Sequence, residues 1–148
     1  METETLTIET HPARSDVDFL DDQINAYNLA TTGIPFGGLL ACFVRDEAGQ
    51  IVAGIYGWTW GDCCEIKSLW VHADWRRQRY GTRLLQVAEQ EAARRGCAQI
   101  VLSTHSFQAP EFYRKRGYEV VGSVEGYPRE HQSIYLRKSL ERLTHGRP

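Results

Sequence analysis

Four arginines, Arg76, Arg77, Arg79 and Arg83, sit where a helix should begin, an unfavourable place for cations. The segment 69–85 reads Leu-Trp-Val-His-Ala-Asp-Trp-Arg-Arg-Gln-Arg-Tyr-Gly-Thr-Arg-Leu-Leu. A strand-like run ends near His72, and helical spacing starts near Arg79. The positive end of a helix macrodipole penalises each exposed cation by roughly 0.3–1 kcal/mol. A bound polyanion removes the conflict, because free backbone N–H groups and guanidinium groups both donate to phosphates. The chemistry indicated is a pyrophosphate site between a strand and a helix. A solvated basic turn is the other reading of these charges.

The elements that must position this cluster follow from local patterns. Leu6-Thr7-Ile8 alternates and reads as a first strand. Helical spacing runs from about Ser15 through Val17, Leu20, Ile24, Tyr27 and Leu29. Asp16, Asp18, Asp21 and Asp22 make that helix acidic, a solvated face or an attraction for a cationic acceptor. Residues 31–38, rich in glycine and threonine with one proline, form a loop. Leu39 to Val44, Ile51 to Trp60 and Cys64 to His72 are three strands joined by short turns, an antiparallel meander. Leu84, Leu85, Ala88 and Ala92 keep helical spacing up to Gly96, a helix-ending residue. Gln99 to Ser103 is a short strand, Ala109 to Arg116 a short helix, and Tyr118 to Val121 and Ser133 to Leu136 two more strands. Residues 64–103 make one parallel strand–helix–strand unit, right-handed by rule.

The order and the segment at Arg76 resemble the GCN5-related N-acetyltransferase (GNAT) superfamily, over nearly the whole chain. The family signature is Gln/Arg-x-x-Gly-x-Gly/Ala; here it reads Arg76-Arg77-Gln78-Arg79-Tyr80-Gly81. Arg79 replaces the middle glycine, which lets the backbone approach phosphates without a Cβ in the way. With a negative φ, Arg79 would keep its N–H available. A second segment, Ser106-Phe107-Gln108-Ala109-Pro110-Glu111-Phe112-Tyr113-Arg114-Lys115-Arg116-Gly117-Tyr118, is similar to the family's Asn-x-x-Ala-x-x-x-Tyr-x-x-x-Gly-Phe. Ser106 stands where Asn is common, and Tyr118 replaces Phe.

The resemblance implies a single α/β (α+β) domain. Its sheet would be mixed but mostly antiparallel, of about 6–7 strands, splayed in the middle and flanked by 3–4 helices, with its core at residues 6–138 and a frayed tail at 141–148. It implies an acyltransferase that moves the acetyl group of acetyl-CoA to a primary amine of a small molecule or peptide. The backbone of Leu69, Trp70 and Val71 would pair with the pantetheine arm. Arg76, Arg77, Gln78, Arg79, Tyr80, Gly81 and Thr82 would hold the pyrophosphate, with Ser106, Ala109 and Tyr113 completing the cofactor site. Tyr113 would protonate the departing thiolate. Glu65, sixteen residues before Gly81, resembles the strand glutamate that serves as general base in some members; a surface glutamate paired with Lys67 is the alternative. Strand alternation puts Glu65, Lys67, Leu69 and Val71 on one face and Ile66, Ser68 and Trp70 on the other, a phase that a bulge would change.

His105 is a second candidate base or a loop cap, and His72 is structural. Tyr127, Arg129 and His131, in the last loop, and Phe36 are candidates for acceptor contact. Tyr56, Trp58 and Trp60 share a strand face, as core or as an aromatic wall for an amine. A non-catalytic acyl-CoA-binding sensor is the alternative function.

Bulk properties bound these readings. At 148 residues, 42% hydrophobic and 24% charged, the chain has the make-up of one ordinary globular domain. Its net charge of −2 offers no global attraction to nucleic acid or membrane, so the basic cluster suits a small anionic ligand. Cys42, Cys63, Cys64 and Cys97 lack C-x-x-C spacing, and no His/Cys/Asp/Glu set has metal-ligand spacing. METETLTIET has no signal-peptide pattern, and no apolar run nears the ~18 residues of a membrane span, so a cytoplasmic location is expected. A homodimer is compatible with the resemblance.

Overall fold

The computed structural model describes residues 3–141 and resolves two compact units, residues 1–36 and 37–148. In the first, helix α1 (Arg14–Thr32) ends at Gly33, whose φ of 70° lets its N–H return to the Leu29 carbonyl at 2.8 Å. Its four aspartates are all solvent-exposed, and Arg14 pairs with Asp18 one turn on. Leu6 and Ile8 are fully solvated and outside any strand, so the expected first strand does not form there.

The second unit is built on a six-stranded sheet. Its strands are β1 (Phe36–Arg45), β2 (Ile51–Trp60), β3 (Cys63–Val71), β4 (Gln99–His105), β5 (Glu119–Glu125) and β6 (Gln132–Ser139), in the order β1-β2-β3-β4-β6-β5. β2 with β3, β4 with β6 and β5 with β6 are antiparallel, while β3 and β4 run parallel. Helix α2 (Tyr80–Arg94) makes the crossover between the parallel pair, and the short helix α3 (Pro110–Arg114) follows β4. Sequence order, the meander and the strand–helix–strand unit are as the patterns predict, but β4 runs on to His105 and β5 to Glu125. The loop expected over residues 31–38 shrinks to 33–35, because helical hydrogen bonding continues to Thr32 and strand pairing begins at Phe36.

One stripe of α2, Leu84, Leu85, Ala88 and Ala92, is buried against Ile55, Cys64, Ile66, Ile100, Leu102 and Leu136 of the sheet. Each fully buried leucine contributes about 1.5–3 kcal/mol. Polar ties fix the helix in place. The Tyr118 hydroxyl donates to Glu89 Oε1 at 3.1 Å, and Lys138 Nζ donates to both oxygens of the same carboxylate. At the other end, Arg95 donates to the carbonyls of Gly38 and Leu39 and to the buried Thr59 hydroxyl, binding β1 to the helix.

Two features open the sheet. First, Tyr56 pairs with Ser68 but Gly57 pairs with Ile66, so Lys67 is an extra residue in β3, a β-bulge. Second, β3 and β4 pair only from Cys63/Gln99 to Ile66/Leu102, although both strands continue beyond that point. The bulge bends β3 away from β4 just where pairing stops.

Candidate active site

The bulge also corrects the predicted facing of β3. Ile66 faces the core, and so do Leu69 and Val71, which lie opposite the buried Ile55 and Ala53. Ser68 and Trp70 therefore share a face with Tyr56 and Gly54, and Glu65 with Trp58. Strict alternation assigns Leu69 and Val71 to the face of Glu65; one inserted residue moves them to the core.

Where β3 and β4 diverge, a groove of about 980 Å³ opens. Ligands of open parallel sheets bind at such a crevice beyond the carboxyl ends of the strands. Its walls include residues 66–71 of β3, residues 102–104 of β4, Phe107, Gln108, Ala109, Phe112, Tyr113 and Arg116. One edge of β3 faces this groove with no strand beside it, so an extended ligand can take the place of the missing strand.

At one end the groove reaches Arg76, Arg77, Arg79, Tyr80, Gly81 and Thr82. Arg79 is the N-cap of α2, and no side chain caps it. The first-turn N–H groups of a helix have no intrahelical acceptor, so those of α2 are left for a ligand. Arg77 and Arg79 have φ of 63° and 66°, while Gln78 between them does not. Arg79 thus does not have a negative φ: the arginine takes the left-handed conformation that the missing glycine adopts without cost. Left-handed Arg79 is followed directly by helical Tyr80, and such a left–right pair turns successive N–H groups towards one concavity, an anion-binding nest. Left-handed backbone costs roughly 1–2 kcal/mol per non-glycine residue, and such strain persists at ligand clamps. Arg76 is tethered back by its Nε, which donates to the Val71 carbonyl at 3.2 Å.

Arg116 joins the two motifs. Its guanidinium lies 3.8 Å over the Phe112 ring and donates twice to Thr82 Oγ1, at 3.1 and 2.6 Å. Phe112 in turn packs beside Gly81, where a Cβ would come within 3.3 Å of the ring. Tyr113 is 8% exposed on the groove wall, and burial raises the pKa of its hydroxyl above the ordinary tyrosine value. Uncapped N–H donors, a nest, arginines, an unpaired strand edge and a protonated phenol fit the pyrophosphate, arm and thiol of coenzyme A in sequence.

A family model described as "Acetyltransferase (GNAT) family" matches residues 4–118. The chain belongs to the GNAT acetyltransferase family. It is 35% identical over 104 residues to blasticidin-S acetyltransferase of Streptomyces morookaense, covering 68% of this chain and 74% of that protein. The crystal structure of an acetyltransferase from Bacillus cereus superposes with a TM-score of 0.74 at 32% identity, over 90% of this chain and 98% of that one. An aminoglycoside 6'-N-acetyltransferase crystallised with coenzyme A shares the fold, with a TM-score of 0.62 at 21% identity over 92% of this chain and 83% of that one. This GNAT protein is therefore an acyl-CoA-dependent N-acetyltransferase with acetyl-CoA as cosubstrate. No helix among the described residues is long and apolar enough to cross a membrane.

The groove brings together Leu69, Trp70, Val71, Arg76, Arg77, Arg79, Tyr80, Gly81, Thr82, Ala109 and Tyr113, most of the residues expected at the cofactor. Gln78 and Ser106 do not line it. Ser106 Oγ instead accepts from the Gln132 N–H at 3.0 Å and fastens the end of β4 to β6. Glu65 is solvent-exposed on the sheet face of Ser68 and Trp70, which line the groove, though Glu65 itself does not; among the described residues it pairs with neither Lys67 nor any other cation. His105, Tyr127 and His131 do meet, around Phe107. The His105 ring stacks on Phe107 and on Tyr127, with centroids 5.4 and 5.2 Å apart, and His131 meets Phe107 edge-on at 4.8 Å. His105 Nδ1 lies 3.1 Å from the Tyr127 carbonyl, which only accepts, so Nδ1 carries the proton and Nε2 points away from that bond. Phe36 opens β1 and is half exposed. His72 is structural, its ring nitrogen accepting from the Asp74 N–H.

Reasoning from sequence missed Trp75, Phe107, Gln108, Phe112 and Arg116 as groove residues. The signal was present for Phe112 and Arg116, which flank Tyr113 inside the second motif.

Proposed function

We propose that this protein acetylates a primary amine of a small molecule or peptide by direct attack of the neutral amine on the thioester of acetyl-CoA. The observation that carries the reading is Tyr113, which lines the groove and whose hydroxyl has no hydrogen-bond partner among the described residues. The amine nitrogen bonds to the acetyl carbon as the carbon–sulfur bond breaks. Glu65 or an ordered water takes the proton from nitrogen, and Tyr113 gives one to the departing thiolate. Binding energy comes from the nest, the arginines and the free edge of β3. The relative that acts on blasticidin S makes that antibiotic the first acceptor to try.

The test is Tyr113→Phe with a fixed acceptor. Loss of the acid should lower kcat by about 10²-fold while leaving the Kd for acetyl-CoA nearly unchanged. An unaltered kcat would remove Tyr113 from the mechanism. A non-catalytic sensor, the second reading, predicts tight acetyl-CoA binding with no turnover across an amine panel.

A further inference from the structure

Gln108 lies on the groove wall, next to Ala109, and its side-chain amide has a fixed orientation. The His105 N–H lies 2.7 Å from one terminal atom of that amide, and an N–H can only donate, so this atom is the oxygen. The hydroxyl of the buried Thr104 donates to the same oxygen at 3.3 Å. Both lone pairs of Oε1 are thus used, and the Gln108 N–H returns to the His105 carbonyl at 2.9 Å to close the turn. The two hydrogens on Nε2 are left without an acceptor among the described residues, on a residue that lines the groove. Leu69, Leu102, Phe107 and Phe112 supply apolar surface to the same wall.

We infer that Gln108 is a cofactor-binding residue: its Nε2 amide donates to a carbonyl oxygen of the pantetheine arm. Resting on the reading of this groove as the acetyl-CoA site, it assigns a polar anchor for the arm, separate from the phosphate end. A donor held by two bonds to its own oxygen loses no rotamer freedom when it engages a ligand, which makes it worth more than a free side chain. Pantetheine carries amide carbonyls along its length, the acceptors such a donor needs.

The experiment is Gln108→Glu. The carboxylate keeps the shape and still accepts from His105 and Thr104, so the turn survives, but no donor faces the groove. Calorimetry with acetyl-CoA and with ADP separates the arm from the pyrophosphate. The expected result is a Kd for acetyl-CoA raised about five- to tenfold, a Kd for ADP unchanged and an unliganded Tm unchanged. An unchanged acetyl-CoA Kd overturns the assignment. So does an equal weakening of both ligands, which would be the field of the added charge. Should the variant fold poorly, the wild-type Gln108 side-chain amide resonance gives the answer. It should shift and gain exchange protection with acetyl-CoA but not with ADP, and a resonance indifferent to acetyl-CoA refutes the bond. If wild-type protein fails to bind acetyl-CoA, the groove reading itself falls, and that outcome is visible before any variant is made.

Discussion

Gly57 of β2 lies so close to the Glu65 carbonyl of β3, one residue off its own cross-strand partner Ile66, that a Cβ on Gly57 would overlap that oxygen. The contact lies beside the Lys67 bulge, at the point where the sheet opens. Only glycine lets the two backbones come so near. Gly57→Ala must push β3 away or flatten the bulge. We expect a loss of at least about 1–3 kcal/mol in urea unfolding, with acetyl-CoA binding weakened as well. A variant with the wild-type midpoint would show that the bulge does not need the close approach.

Arg79 separates strain from ligand contact. Glycine adopts its φ of 66° freely, but adds chain entropy to the unfolded state. The balance favours Arg79→Gly by about 0.5–1 kcal/mol in the unliganded protein. The same change removes one guanidinium from the phosphate end, so the Kd for ADP should rise severalfold. A variant that is both less stable and tighter-binding would contradict this account.

Thr82 and Arg116 tie the first turn of α2 to the end of α3 through two hydrogen bonds. A double-mutant cycle with Thr82→Val and Arg116→Met should give a coupling energy of about 0.5–1.5 kcal/mol. Zero coupling would mean that the Phe112 carbonyl, which accepts from Arg116 at 2.7 Å, and the Phe112 ring hold the guanidinium without Thr82.

Alkaline pH should destabilise the protein through its buried thiols, Cys64 foremost and Cys97 beside it. Burial, followed by the neighbouring Cys97, pushes the Cys64 thiol up to about 12. A group whose folded pKa is raised gives its full stabilisation below the unfolded value and loses it as pH rises towards the folded one. The unfolded thiol titrates near pH 8.5, so stability should fall from there towards pH 12. Tyr113 and Tyr118, both raised by burial, add to the decline above the ordinary tyrosine range. Urea midpoints between pH 8.5 and 10 should fall less steeply in Cys64→Ala. Equal slopes in the two proteins would exclude Cys64 as the cause. At pH 8 the folded Cys64 should also resist thiol reagents.

The order of the six strands and the two helices of the second unit was legible because each is written locally. α2 announces itself by Leu84, Leu85, Ala88 and Ala92, and the turns by their glycines. The crowding of arginines at the start of α2 was legible for a related reason: cations at a helix N-terminus conflict with the dipole unless something negative binds. Tyr113 and Gly117 carried the second motif in the same short-range way.

The rest depended on which strands lie side by side. A bulge is a mismatch between two strands, so Lys67 gives no sign in β3 alone, and the facing of Leu69 and Val71 follows from it. Ser106 belongs to the cofactor motif by position, yet its oxygen is spent on Gln132, twenty-six residues away, because β4 and β6 meet there. Leu6 and Ile8 alternate like a strand but have no neighbour to pair with, and alternation without a partner leaves backbone donors and acceptors to water. The amino-acid sequence by itself determined the element order, the anion-seeking turn and the phenol beside it. Only the tertiary structure decided the phase of β3, the opening between β3 and β4, and the orientation of Gln108. Those are set by hydrogen bonds between strand edges and turns that local spacing does not specify.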